Sequence, residues 1–287
     1  RHTTFEVGGP AEVYVRPETV EDVQQVVRAA QEAQAPLFVL GGGSNILVSD
    51  RGVRGVVMDM RGLSATRREG NRFTAEAGLA ISDAAARAAD AGLGGLHFLY
   101  SMPGSVGGAV WMNARCYGSS IIDVLEEVRL VDEAGEVEVY RPREGDFAYK
   151  VSPFQSRRTA IVDATFRLHP ADPNELREKM NGYHADRESK GHFSAPSAGS
   201  VFKNNRAFGR PSGAIIDELA LRGTQIGGAR VSDSHANIII NTGSATAADI
   251  RHLIEYVQRR VREEQGLELE REVLFVGDWE AEHAVTG

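Results

Sequence analysis

The sequence predicts an α+β fold built from two or three packed units. Three observations carry this reading. Apolar stripes at helical spacing are opened by capping residues. Short β-rich runs alternate with them, bounded by Gly, Pro and Asp. At 287 residues the chain also exceeds one average domain.

Thr19 with Asp22 forms an N-cap pattern, opening a helix with Val20, Val23, Val26, Val27 and Ala30 on one face. Pro36 precedes a short strand, Leu37 to Leu40, which stops at Gly41-Gly42-Gly43-Ser44-Asn45, and Val56 to Asp59 is the next strand. Ser82 is expected to cap an alanine-rich helix ending near Gly92. Val128–Val131 and Val137–Tyr140 flank Asp132-Glu133-Ala134-Gly135 as a hairpin, and Val162, Ala164, Phe166 and Leu168 alternate as a half-buried strand does.

Composition breaks at His169-Pro170-Ala171-Asp172-Pro173, where Asp172 caps a helix beginning with Pro173, and a domain boundary is expected there. Ser212 to Leu221 predicts a helix closed by Gly223, and Ile238 to Asn241 a strand. Thr246 with Asp249 caps a helix whose buried stripe is Ile250, Leu253, Ile254, Val257 and Val261. Glu268, Glu270 and Glu272 alternate as on a strand, sharing one face, and Val273 to Val276 forms the last strand.

Composition narrows the function. Apolar residues are 42% and charged residues 25%, as in ordinary globular proteins. A net charge of −8 argues against a general nucleic-acid binder. No apolar run approaches the ~20 residues of a membrane span. The single cysteine, Cys116, excludes an internal disulfide and fits a reducing, cytoplasmic setting. Scattered histidines, without a His-Glu-x-x-His or paired cysteines, predict no metal site.

Two segments are unusually rich in glycine: Gly41 to Asn45 after a strand, and Met102-Pro103-Gly104-Ser105-Val106-Gly107-Gly108-Ala109. Glycine permits positive φ and close approach of a ligand to main-chain amides. Two such loops suit the pyrophosphate of a dinucleotide, although each alone also reads as a tight turn.

Five motifs occur in order. They are Thr3-Thr4-Phe5-Glu6-Val7-Gly8-Gly9-Pro10-Ala11, Leu40 to Asn45, Pro103 to Gly108, Ala198-Gly199-Ser200-Val201-Phe202-Lys203-Asn204, and His235-Ala236-Asn237-Ile238-Ile239-Ile240-Asn241. Together they resemble the UDP-N-acetylenolpyruvoylglucosamine reductase family, in its branch with the shorter substrate domain. The resemblance implies a two-part FAD-binding module, residues 1–62 and 63–170, and a smaller α+β substrate-binding domain, 171–272. The segment 273–287 is expected to return to the first part.

The resemblance also implies non-covalent FAD, held by Val39, Leu40, Gly41, Gly42, Gly43, Ser44, Asn45, Met102, Pro103, Gly104, Ser105, Gly107, Gly108, Ala109 and Ile161. NADPH would reduce FAD, whose N5 then passes hydride to the methylene carbon of an enolpyruvyl ether on a nucleotide sugar. The neighbouring carbon takes a proton, for which the family motif points to Ser200. Glu272, in Glu272-Val273-Leu274-Phe275-Val276-Gly277, is implied to act beside the enol, with Glu270 as the alternative register. Lys203, Asn204, His235 and Tyr149 become substrate contacts. The enzyme is expected to be a cytoplasmic monomer with no macromolecular partner.

Two departures stand out. Lys150, in Ala148-Tyr149-Lys150-Val151-Ser152-Pro153-Phe154-Gln155, replaces the family's arginine, keeping the charge but losing the bidentate fork. Arg157 or Arg158 is the alternative source of a guanidinium. Arg115-Cys116 stands where small residues are usual. Two rival functions are an FAD-dependent alcohol oxidase or dehydrogenase and a non-catalytic nucleotide-binding regulator. Gly43→Val is expected to exclude flavin while leaving the chain largely folded.

Overall fold

The computed structural model describes residues 2–279, so of the segment expected to return to the flavin module, 280–287 lie outside the described residues. The chain divides into two compact units. One comprises Val13–Gly42 and Gly55–Asp186; the other comprises the chain up to Glu12, Gly43–Arg54, and everything from Arg187 onward.

In the first unit, helix α1 (Val20–Glu32) opens as its capping box predicts: the Asp22 amide donates to the Thr19 hydroxyl, and the Thr19 amide donates to the Asp22 carboxylate. Such a cap contributes ~1 kcal/mol. Its buried residues Val23 and Val27 pack with Met58, Leu63, Val131 and Val162. Leu37–Leu40 runs parallel to Val53–Asp59, bringing Leu40 opposite Asp59, and Ala11–Val15 flanks the far side.

A five-stranded sheet follows, in the order Val137–Tyr140, Leu125–Val131, Ala160–Arg167, Arg72–Glu76, Thr66–Glu69. Its central strand corrects the half-buried expectation, for every residue from Ala160 to Phe166 is buried. One side of it joins the α1 core, and Ile161, Ala164 and Phe166 join another. The intervening polar residues are buried because they are paired: Asp163 takes an ion pair from Arg129, and Thr165 shares a hydrogen bond with Thr74.

Helix α2 (Ile81–Asp90) corrects a second expectation. Ser82 does not cap it; its hydroxyl accepts from the Ser101 amide instead (2.9 Å). Backbone pairing does that work, with the Ile81 amide donating to the Gly104 carbonyl at 3.0 Å. Gly92, at φ +71°, turns the chain out of the helix. Helix α3 (Val106–Trp111) follows the second glycine-rich segment. Helix α4 (Pro173–Ser189) begins as predicted, Asp172 accepting from the Asn174 amide.

The second unit holds an antiparallel sheet ordered Ser197–Ser200, Ile238–Asn241, Ala229–Val231, Gln225–Ile226. Helices α5 (Ser212–Glu218) and α6 (Ala247–Gln265) supply its core with Phe5, Val201, Phe202 and Ile239. Every residue of the predicted α6 stripe is buried, and Gly266 ends the helix at φ +66°. Ile46–Val48 pairs in parallel with Leu274–Val276.

The glutamates before that last strand do not share a face. Leu269 points inward and Glu268 and Glu270 outward, but Arg271 is also exposed and Glu272 is buried. The alternation slips because only one bridge, Phe202 with Arg271, replaces a continuous ladder. Among the described residues, no helix is long and apolar enough to cross a membrane.

Candidate active site

Val39 and Leu40 end a parallel strand, the edge at which such sheets receive ligands. Gly41 and Gly42 continue directly into backbone contact with the second glycine-rich segment. A Cβ on Gly41 would lie 2.4 Å from the Ser105 Oγ, and one on Gly42 would lie 2.6 Å from the Gly104 Cα. The two segments therefore meet back to back, and only glycine fits. Gly107 has a packing reason of its own, since a Cβ there would reach within 2.9 Å of the Ala77 Cβ.

Gly108 differs. It is exposed, and a Cβ built on it would meet only the Ser105 Oγ, at 3.5 Å. This open strip of main chain, bare of side chains, fits the diphosphate of a dinucleotide. Ser105 is buried and caps α3, its hydroxyl accepting from the Gly108 amide, while Met102 and Pro103 lead into the turn. Ala109 and Ile161 belong to one core beneath it. Val39 to Gly42, Met102 to Ala109 and Ile161 thus all belong to the first unit.

Tyr149 and Lys150 form the tip of a two-residue turn, closed by reciprocal hydrogen bonds between Ala148 and Val151 at 3.1 Å. Lys150 takes φ +59°. Residues that sequence reasoning missed hold this turn. Asn113 donates to the Ala148 carbonyl (2.7 Å), Gln155 to the carbonyls of Lys150 and Trp111 (3.0 Å each), and Ser152 to that of Trp111 (2.6 Å). Arg157 is drawn to Glu138 at 2.7 Å. The segment after α3 also accounts for Cys116, whose thiol donates to the Phe98 carbonyl. Tyr117 stacks on Tyr183 at 4.1 Å and bonds Asp186.

In the second unit, Ser200 ends its strand beyond a bulge, with Gly199 at φ +69°. A bulge re-aims the side chains beside it. Asn237, buried, clamps Phe202, two residues on, by both backbone groups: its Oδ1 accepts from the Phe202 amide (3.0 Å) and its Nδ2 donates to the Phe202 carbonyl (2.8 Å). The Glu272 amide donates to the Val201 carbonyl at 2.7 Å, so the backbones carrying Ser200 and Glu272 lie side by side.

Glu272 is tied in once more, for the Asn45 amide side chain donates to its carbonyl at 3.1 Å. The end of the first glycine-rich segment, Gly43, Ser44 and Asn45, thereby sits in the same unit as Ser200 and Glu272. Gly43 takes φ +63°, and a Cβ on it would lie 2.3 Å from the His2 carbonyl. Gly43→Val, expected to leave the chain largely folded, would therefore also strain the backbone at His2 and Thr3.

Lys203 carries an ion pair to Glu270, Nζ to Oε1 at 2.6 Å. The Asn204 Oδ1 accepts from the Ser212 amide at 2.9 Å, so that oxygen serves the start of α5. His235 accepts the Asn237 amide on Nδ1 (3.2 Å), and burial pushes its pKa below the ordinary histidine value, aided by Arg222 and Lys190. The bond from the Asn237 amide makes Nδ1 the acceptor, the tautomer that carries its proton on Nε2.

Known proteins resemble this chain over nearly its whole length. Residues 11–140 match an FAD binding domain, and residues 191–276 match the C-terminal domain of UDP-N-acetylenolpyruvoylglucosamine reductase. The reductase of Borrelia garinii is 40% identical over 277 residues, covering 96% of this chain and 90% of its own. That of Treponema pallidum is 39% identical, covering 96% and 91%. The crystal structure of the Thermus caldophilus enzyme superposes with a TM-score of 0.81 at 34% identity, covering 96% of both chains. Fold, glycine-rich cradle and overall likeness converge: the chain belongs to the UDP-N-acetylenolpyruvoylglucosamine reductase family.

Proposed function

We infer that this chain reduces UDP-N-acetylglucosamine enolpyruvate to UDP-N-acetylmuramate, with Ser200 as the proton donor. It is an FAD-dependent oxidoreductase of peptidoglycan precursor synthesis, with NADPH as reductant. FAD, when bound, supplies the hydride chemistry, and the residues proposed to hold it are Val39 to Asn45, Met102 to Ser105, Gly107 to Ala109 and Ile161. We include action as a monomer in the cytoplasm in this reading.

The rest concerns the protein's own groups. Once the methylene carbon is reduced, the neighbouring carbon carries an enol or carbanion and needs a proton. A serine hydroxyl is a weak acid, so it must be held at that carbon to give the ~10²–10⁴-fold typical of general acid catalysis. The observation that carries the proposal is the bulge at Gly199–Ser200, fixed from behind by Asn237 and alongside by Glu272. Glu272, buried at the same place, polarises the substrate beside the enol. Lys203 meets an anionic group of the nucleotide sugar, with Asn204 next in sequence and His235 near the start of α5 that Asn204 bonds. Lys150 and Tyr149, at an exposed turn tip, take the family's arginine role and its neighbour's.

Separating the half-reactions tests the assignment. In Ser200→Ala, bleaching of FAD by NADPH should proceed near the normal rate. Reoxidation by the enolpyruvyl substrate should slow by ~100-fold or more, with partial recovery in Ser200→Cys. Normal reoxidation in stopped-flow traces of Ser200→Ala would remove Ser200 from the mechanism.

A further inference from the structure

We propose that Glu270 is an exchangeable counter-ion for Lys203, holding its ammonium ready for substrate and yielding it to a multiply charged anion. The proposal rests on the reading above that Lys203 meets an anionic group of the nucleotide sugar.

Three observations support it. Glu270 is bound to Lys203 twice: its backbone carbonyl accepts from the Lys203 amide at 2.9 Å, and its carboxylate holds the Lys203 Nζ at 2.6 Å. The two bonds are separable, because a side-chain substitution leaves the carbonyl in place. The pair is also lopsided: the Lys203 side chain is only 22% exposed, whereas that of Glu270 is 71% exposed. The ammonium stays in place while the carboxylate is free to swing into water. Finally, the alternation slips at Arg271, which sends Glu270 outward and turns Glu272 inward. Two glutamates two residues apart thereby take separate tasks, one buried beside Ser200 and one paired with the lysine.

A solvent-exposed ion pair is worth ~0.2–1 kcal/mol and is screened by salt. A diphosphate or carboxylate can displace such a partner, which a buried bidentate pair would prevent. The carboxylate then sits close to the incoming anion as a like charge. It disfavours weakly charged ligands, while the substrate overcomes it. Glu270 is a competing counter-ion and specificity residue in this account and touches no reacting atom.

The holoenzyme tests this through KM at two ionic strengths, with Glu270→Gln, Lys203→Met and the double variant. Glu270→Gln should lower KM for the enolpyruvyl nucleotide sugar about two- to fivefold at low salt, with kcat changed far less. The gain should vanish near 0.5 M salt, as an order of magnitude set by a Debye length of ~3–10 Å. It should vanish too in the Lys203→Met background, where no ammonium remains to be shared. If Lys203→Met raises KM but Glu270→Gln leaves KM unchanged or raises it, the counter-ion role is wrong and the lysine assignment stands. If Lys203→Met itself leaves KM unchanged, the lysine assignment falls, and the counter-ion role with it.

Discussion

Two cation–carboxylate pairs show how differently the two units hold their functional edges. In the flavin-binding unit, Asp59 ends the strand beside Leu40 and is fully buried; the Arg61 guanidinium bonds both its oxygens, and the Tyr14 hydroxyl donates to it as well. Burial by itself would raise the Asp59 pKa, but the bonds from Arg61 and Tyr14 outweigh it and hold the carboxyl below its ordinary range. In the second unit, Lys203 faces a carboxylate that stands mostly in water. The first pair closes a structure and the second keeps a charge available. A dinucleotide that stays bound suits rigid main chain, whereas a substrate that arrives and leaves suits a charge with a replaceable partner.

The contrast can be strained at the closed end first. Asp59→Ala removes the carboxylate that both Arg61 and Tyr14 bond, so unfolding should become easier by about 2–3 kcal/mol. That lies below the ~3–5 kcal/mol of a broken, fully buried pair, since the Arg61 side chain is one-third exposed (34%). Denaturant unfolding of the flavin-loaded protein measures it, and a loss below ~1 kcal/mol would put this pair in the same class as Lys203–Glu270.

Next comes the cradle itself. Gly108 has room for a side chain on the protein's own account, so Gly108→Val should fold normally yet bind FAD at least ~10-fold more weakly, about 1.4 kcal/mol. Equilibrium dialysis against FAD, beside a circular dichroism melt, separates the two effects. Tight yellow protein from this variant would mean that the open strip is not where the cofactor lies.

The smallest expected effect lies in the second unit. His235 has a pKa below the ordinary 6.5 and uses its unprotonated Nδ1 to accept from Asn237. A lowered histidine pKa means that the unfolded chain takes up the proton first as pH falls. Stability from this group is therefore complete above about pH 6.5 and declines below it, until the folded state is protonated too. The melting temperature should fall between pH 8 and pH 5.5 by more than in His235→Asn, which retains an acceptor two residues before the amide. Equal slopes would remove His235 from the clamp on the serine loop.

Much of this was legible in the residues. The capping pairs Thr19–Asp22 and Thr246–Asp249 and the stripe Ile250 to Val261 are local signals, set within one turn or one helix face, and the structure follows them. Ser82 was misread because a backbone bond from a distant segment, Gly104, had already satisfied the helix start. Glu268 to Glu272 were misread because a period of two cannot reveal where pairing partners run out. The glycine-rich segments could be recognised, but not that Gly41 and Gly42 leave no room for a Cβ against Ser105 and Gly104. Asn237, Asn113 and Gln155 left no signal, for an amide that clamps remote main chain looks like any polar loop residue in sequence.

The bond from Asn45 to Glu272 joins residues 227 positions apart, and the strand Ile46–Val48 pairs with Leu274–Val276. Synthesis runs from one end to the other, so the ribosome delivers one side of this pairing long before its complement exists. The unit formed by Val13–Gly42 and Gly55–Asp186 is entirely synthesised while the other still lacks α5, α6 and its closing strand. Until then Ile46 and Leu47, buried in the finished protein, have no Leu274–Val276 strand beside them. At ~5–20 residues per second that wait lasts on the order of ten seconds or more. During it, an exposed strand edge must be kept from pairing with a neighbouring chain.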